Sequence, residues 1–155
     1  ECMQTKRYET AESFTLGTGG QLNEEIANDD NLKVNWHGIR FKGRIMADQV
    51  SADNAAAGMI GIMCVPQEGI ATPAVSGEAD LNNFYSYIIA NEPWRVFGGS
   101  STQGFTAIYD FDIVLKSTRT CPKGGRLIGY VSNRGNKNVI VNSSLSTFET
   151  ATANR

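Results

Sequence analysis

One histidine, four prolines and three cysteines are all that this 155-residue chain offers of the residues behind metal sites, kinks and disulfide frameworks. Cys2, Cys64 and Cys121 form no CxxC pair, and an odd number at wide spacing does not make a disulfide scaffold; reduced core thiols are expected. No Cys/His cluster has zinc spacing, so no metal and no cofactor is expected. The single histidine, His37, stands alone without a G-x-S-x-G elbow, and it reads as a structural residue beside a bend rather than as a catalyst. The glycines match neither a phosphate loop nor a dinucleotide fingerprint. An enzyme is therefore not expected. No run approaches 18 apolar residues, which excludes a membrane-spanning helix. Charge is also scarce: 19% of residues are charged, 14 basic against 16 acidic, for a net charge of -2. The usual share is about a quarter. That is not the composition of a strongly basic nucleic-acid binder.

What the chain does have is strand pattern. Its length suits one domain, residues 1–155, large enough to bury about two-thirds of its unfolded surface. In the stretch from Val34 to Ile45, Ile39, Phe41 and Ile45 share one parity and Arg40, Lys42 and Arg44 the other, the alternation of a half-buried strand. Trp36-His37-Gly38 breaks that parity, which predicts a bulge around Gly38. From Phe105 to Lys116, six apolar or aromatic residues fall on one face and Asp110 and Asp112 on the other, beside Ile108 and Val114, so partial cover of the second face is expected. The apolar run from Ala55 to Val65, closed by Pro66, reads as a buried strand and could pair with the preceding one in a long hairpin.

Shorter strands are expected at Phe14–Leu16, Trp94–Phe97, Leu127–Val131 and Val139–Val141, with an apolar element at 84–89 and a last strand within Ser144–Thr152. Residues 1–32 read as a lead-in with Gln21–Asn31 a surface loop, Gln67–Asn83 as a long loop with a short helix at 78–85, and Ser117–Gly125 as a basic turn. Seven to nine strands without a βαβ rhythm indicate an all-β sandwich or jelly roll.

Two basic groups are candidates for phosphate contact: Arg40, Lys42 and Arg44 on one strand face, and Lys116, Arg119, Lys123 and Arg126 around the turn. Trp36 and Trp94 are candidates for an aromatic interface. Asp110 and Asp112, about 7 Å apart by strand rise, suit salt bridges or a cation.

The order of these features resembles the single jelly-roll coat proteins of small icosahedral viruses, most of all those of circular single-stranded DNA viruses. The residues that carry the likeness are Gly38 to Ile45, Met59 to Val65 running into the long loop, Phe111 to Arg119, and Gly124 to Ile128. The resemblance implies eight strands in two four-stranded sheets and self-assembly of many copies into an icosahedral shell. It implies a nucleic-acid partner, single-stranded DNA, and location in the virion, with assembly in the host cell or its nucleus. It also implies a basic N-terminal arm, which Met3 to Gln21, holding only Lys6 and Arg7, does not supply; either an arm lies upstream of Glu1 or packaging depends on Arg40, Lys42, Arg44 and the Lys116 to Arg126 turn, and the upstream arm is the expectation. The first 32 residues carry seven acidic and two basic residues against nine and twelve in the rest. On this reading the long loop serves contact between copies or surface display. The alternative is a β-sandwich carbohydrate- or receptor-binding module, with Tyr85, Tyr87, Trp94 and the Asp110/Asp112 pair lining its site.

Overall fold

The computed structural model describes residues 5–28, 33–50, 56–66, 72–75, 87–96 and 105–151, and the chain is all-β throughout them. Ten strands follow in order: β1 (Thr5–Glu9), β2 (Glu12–Leu16), β3 (Gln21–Ala27), β4 (Val34–Val50), β5 (Ala56–Val65), β6 (Ile88–Val96), β7 (Phe105–Leu115), β8 (Arg119–Cys121), β9 (Arg126–Ser132) and β10 (Val139–Ala151). They form two antiparallel sheets. The larger runs β1-β10-β4-β7, with β2 also on β10 and β8 also on β4; the smaller runs β3-β9-β5-β6. Apart from β1 and β2, β5 and β6, and β7 and β8, which stay in one sheet, consecutive strands alternate between the sheets, as in a jelly roll. The expected arrangement of four strands on four becomes six on four for two local reasons. β1 and β2 lie end to end along β10 in one unbroken register, Glu9 opposite Ser146 and Glu12 opposite Ser143, parted only at Thr10 and Ala11. β8 likewise continues the line of β7 along β4.

The bulge expected at Gly38 is present. His37 pairs with Phe148 and Arg40 with Ser146, so Gly38 and Ile39 together oppose Thr147 alone. Gly38 absorbs the extra residue at φ +59°, a backbone state that side-chain-bearing residues rarely adopt. The shift carries the inward parity from Val34 and Trp36 to Ile39, Phe41 and Ile45. All five are fully buried against Ile60, Ile62, Leu127 and Leu145 in the core between the sheets.

Other expectations change. β4 and β5 do not pair as a hairpin; they lie in different sheets. The lead-in holds three strands, and β3 occupies most of the supposed surface loop, burying Leu22, Glu24 and Ile26. Residues 88–96 form one strand that passes through Pro93, tolerated because β6 is an edge. The two strands expected after Val139 are one strand of 13 residues. Part of the basic turn is β8.

The smaller sheet is covered on its outer side as well. Met63, Val65, Ile128 and Tyr130 form a second cluster with Val75, which is fully buried. The segment 72–75 of the long loop is held there by the Gln21 side chain, whose Nε2 donates to the Pro73 carbonyl (3.0 Å) and whose Oε1 accepts the Val75 amide (2.6 Å). Its described part therefore closes a core rather than standing free for display. The helix expected at 78–85 lies outside the described residues.

Candidate nucleic-acid interface

The first basic group lies on the outer face of the larger sheet, where β4 pairs with β7. Register puts Arg44 opposite Asp110 and Lys42 opposite Asp112. Arg40 grips Asp112 through Nε and Nη2 (2.8 and 2.6 Å), and Arg44 reaches Asp110 the same way (2.7 and 3.4 Å). These hydrogen bonds and charges hold both aspartates below the usual carboxylate range. Lys42 makes no direct ion pair among the described residues, but it stands in the field of Asp112 and Glu9. An open depression of about 810 Å³ is lined by Gly43, Lys42, Arg44, Glu12, Asp110 and Asp112 among others. The face is therefore a neutral ladder, and its two arginines are already spent. The cover expected over Ile108 and Val114 is absent among the described residues: they are 52% and 53% exposed.

The second group gathers at the end of the sandwich where β4 and β9 begin. Pro122–Gly125 is a tight turn closed by Gly125 N–H to the Pro122 carbonyl (3.0 Å), with Gly124 at φ +81°. Positive φ at the third position is the mark of a type II turn, which lifts Lys123 to the tip. Buried Asn28 pins the turn: its Nδ2 donates to the carbonyls of Cys121 and Pro122 (3.3 and 3.0 Å), and its backbone bonds Gly124 and Gly125. Lys116 and Lys123 are exposed, as is Lys33, which precedes the Val34–Cys121 pair and so stands beside the turn. Arg119 is half-buried, with its Nε unbonded among the described residues. Arg126 is also half-buried, 4.0 Å from Glu25. Among the described residues Lys33, Lys116 and Lys123 at this end have no ion pair, whereas on the β4 face only Lys42 has none.

Lys33 and Asn28 escaped the sequence reading. Lys33 is isolated in the chain and joins the cluster only through strand pairing, and nothing in the sequence marks Asn28 as the pin of a turn about 95 residues away.

Neither tryptophan is available to a surface. Trp36 is 0% exposed and donates to Glu149 Oε1 (3.0 Å); Trp94 is 1% exposed and donates to the Ser132 carbonyl (2.9 Å). Of the residues proposed for a sugar site, Tyr87 packs on the outer cluster of the smaller sheet, both aspartates are held by arginines, and Tyr85 lies outside the described residues. His37 stacks on Phe148, ring centroids 6.1 Å apart. Among the described residues no group of three or more His, Cys, Asp or Glu could hold a metal ion. Cys64 and Cys121 are free thiols, the latter fully buried.

Comparison with known proteins finds no matching family model and no matching curated protein. Solved structures similar in chain course include the BFDV capsid protein, crystallised as a decamer (12% identity, TM-score 0.44, 97% of this chain and 100% of that one). Desmodium yellow mottle tymovirus (10%, 0.42, 98% and 89%) and turnip yellow mosaic virus (9%, 0.39, 97% and 95%) are others.

Proposed function

We propose that this chain is a viral coat protein that assembles into an icosahedral shell around a nucleic-acid genome. The observation that carries the reading is the strand order. Counting each end-to-end pair as one interrupted strand, β1/β2-β10-β4-β7/β8 faces β3-β9-β5-β6, an eight-stranded jelly roll with four lanes in each sheet. The site chemistry agrees with a structural role: the side chains of Asn28, Trp36 and Trp94 are spent on holding turns and sheets together. Single-stranded DNA is the proposed genome and the virion the proposed location, with assembly in the host cell or its nucleus. Lys33, Lys116, Arg119 and Lys123 are the proposed phosphate contacts: they have no ion pair among the described residues, and such cations gain most from releasing phosphate counterions. Arg40, Arg44 and Arg126 contribute less, being engaged with carboxylates.

Electron microscopy of the purified full-length protein tests the proposal. Uniform closed particles are expected, with an ultraviolet spectrum that reports packaged nucleic acid. A monodisperse monomer that persists at high concentration and with added single-stranded DNA would sink it.

A further inference from the structure

The turn that carries Lys123 also carries the chain from one sheet to the other. Cys121 ends β8 opposite Val34 of β4, in the larger sheet. After the Pro122–Gly125 turn the chain enters β9 of the smaller sheet, where Arg126 pairs with Val65 and Leu127 with Cys64 of β5. Cys64 shares the row of buried Leu127 and so points into the core between the sheets, where Cys121 also lies. Two cysteines far apart in the chain are thereby brought together across the sandwich, and their thiols share a hydrogen bond.

Both partners are held in place. Asn28 fixes the Cys121 main chain through its bonds to the Cys121 and Pro122 carbonyls (3.3 and 3.0 Å), and the Cys64 amide donates to the Tyr87 carbonyl (2.7 Å). Gly125 leaves room for the approach: a Cβ there would collide with Cys121 Sγ and stand 3.1 Å from the Val65 carbonyl. The two sulfurs are not equivalent. Cys64 is half-buried and Cys121 fully buried. The hydrogen bond from Cys121 holds the Cys64 thiol below its ordinary value, and the Arg119 charge adds to this against the effect of burial. Cys121 is raised by its hydrogen bond to Cys64, by burial and by the charges of Cys64 and Glu149. The Pro122 carbonyl, 3.4 Å from Cys121 Sγ, is a second acceptor for the Cys121 proton. Cys64 is thus the sulfur with thiolate character, and Cys121 stands beside it as the protonated partner.

We propose that Cys64 and Cys121 are a redox pair that closes reversibly into a disulfide between the two sheets, with Cys64 attacking and Cys121 resolving. The oxidant is a small disulfide such as oxidised glutathione. The Cys64 thiolate attacks one of its sulfurs, forming a mixed disulfide and releasing one glutathione thiolate. Loss of the Cys64 charge removes part of what keeps the proton on Cys121. That proton passes to solvent, the Cys121 sulfur attacks the Cys64 sulfur, and the second glutathione leaves. Two protein thiols are oxidised by two electrons, and one oxidised glutathione is reduced to two thiols. The new bond ties β5 to β8 beside the Lys123 turn. It does not depend on the coat-protein reading.

The test is equilibration of the folded full chain with mixtures of reduced and oxidised glutathione, read by intact mass and non-reducing peptide mapping. The Cys2→Ser variant serves as the parent, leaving Cys64 and Cys121 as its only thiols. Loss of about 2 Da, with the Cys64 and Cys121 peptides linked and the link reversed by dithiothreitol, is expected. The oxidised protein should melt about 5 °C or more above the reduced one, because the cross-link restricts the unfolded chain. In the parent background Cys121→Ser should stop at the mixed disulfide on Cys64, and Cys64→Ser should react with oxidised glutathione at least tenfold more slowly. Should either serine variant fail to fold, mapping and melting of the parent decide. No intramolecular link at any glutathione ratio, a link that forms only in urea, a melting temperature unchanged or lowered by oxidation, or equal rates for the two serine variants would overturn the proposal.

Discussion

Glu24 is a carboxyl group buried with no cation partner among the described residues. It is 1% exposed on β3, and its oxygens take hydrogen bonds from Thr10 Oγ1 (2.5 Å) and from the Ser143 hydroxyl, so it ties the edge of the smaller sheet to β10 and to the break between β1 and β2. Burial raises its pKa above the ordinary 4.5, and the nearby Glu12 charge adds to the rise, against the lowering effect of the Thr10 bond. The folded protein therefore holds this proton to higher pH than the unfolded chain does. The stability so contributed is complete below the unfolded value and is lost as pH rises through the folded one. Glu24→Gln keeps the size and removes the titration. The melting temperature of the wild type should fall relative to this variant as pH is raised from about 4 to about 7, and a constant difference would exclude Glu24 as the titrating group. Tyr130 gives a second residue-scale test. Its hydroxyl is buried with no hydrogen-bond partner among the described residues, and burial raises its pKa. Tyr130→Phe removes an unsatisfied polar atom and should leave stability unchanged or raise it by about 1 kcal/mol in urea denaturation; a loss of more than that would reveal a missing partner.

At the scale of elements, β4 depends on its bulge. Gly38→Ala forces a side chain into the left-handed region and brings its Cβ to 3.0 Å from the Phe148 ring. A loss of about 1–2 kcal/mol is expected, and less for Gly38→Asn, since Asn tolerates that backbone state. Equal losses for the two variants would place the cost in the Phe148 contact instead. The bulge was legible in the sequence because a broken parity is itself a pattern, and β7 was legible because six residues kept theirs. β3 was not, since a buried glutamate on its inner face disguised the alternation of Leu22 and Ile26. β6 was split by Pro93, and β8 is too short to carry a period. The candidate site divides along the same line. The cations were readable as residue types, but whether each faces an aspartate depends on β4–β7 register, which follows from which strands pair. The cover over the smaller sheet was equally hidden, because Val75 lies in a stretch that reads as loop. Val75→Ala should cost about 1–2 kcal/mol, as for a buried methyl-bearing side chain. A change within 0.3 kcal/mol would mean that the segment adds nothing to the second cluster.

For the whole molecule, the two basic groups make opposite predictions about a nucleic-acid partner. If phosphates met the β4 face, they would have to compete with Asp110 and Asp112 for Arg44 and Arg40 and would bring negative charge beside both carboxylates. At the Lys123 end no such exchange is needed for Lys33, Lys116 and Lys123, which are exposed and have no ion pair among the described residues. Each lysine that neutralises one phosphate of a single strand contributes about 0.7 to the slope of log affinity against log salt. Replacing all three with alanine should lower that slope by about 2 for oligothymidine, while Arg40→Ala and Arg44→Ala should change it far less. The measurement is fluorescence-anisotropy binding of the oligonucleotide across a salt series, with the melting temperature of each variant as a folding control. Should the arginine variants flatten the slope and the lysine variant leave it intact, the genome-facing surface would be the outer face of the larger sheet, and the ion-paired ladder would have to open on binding.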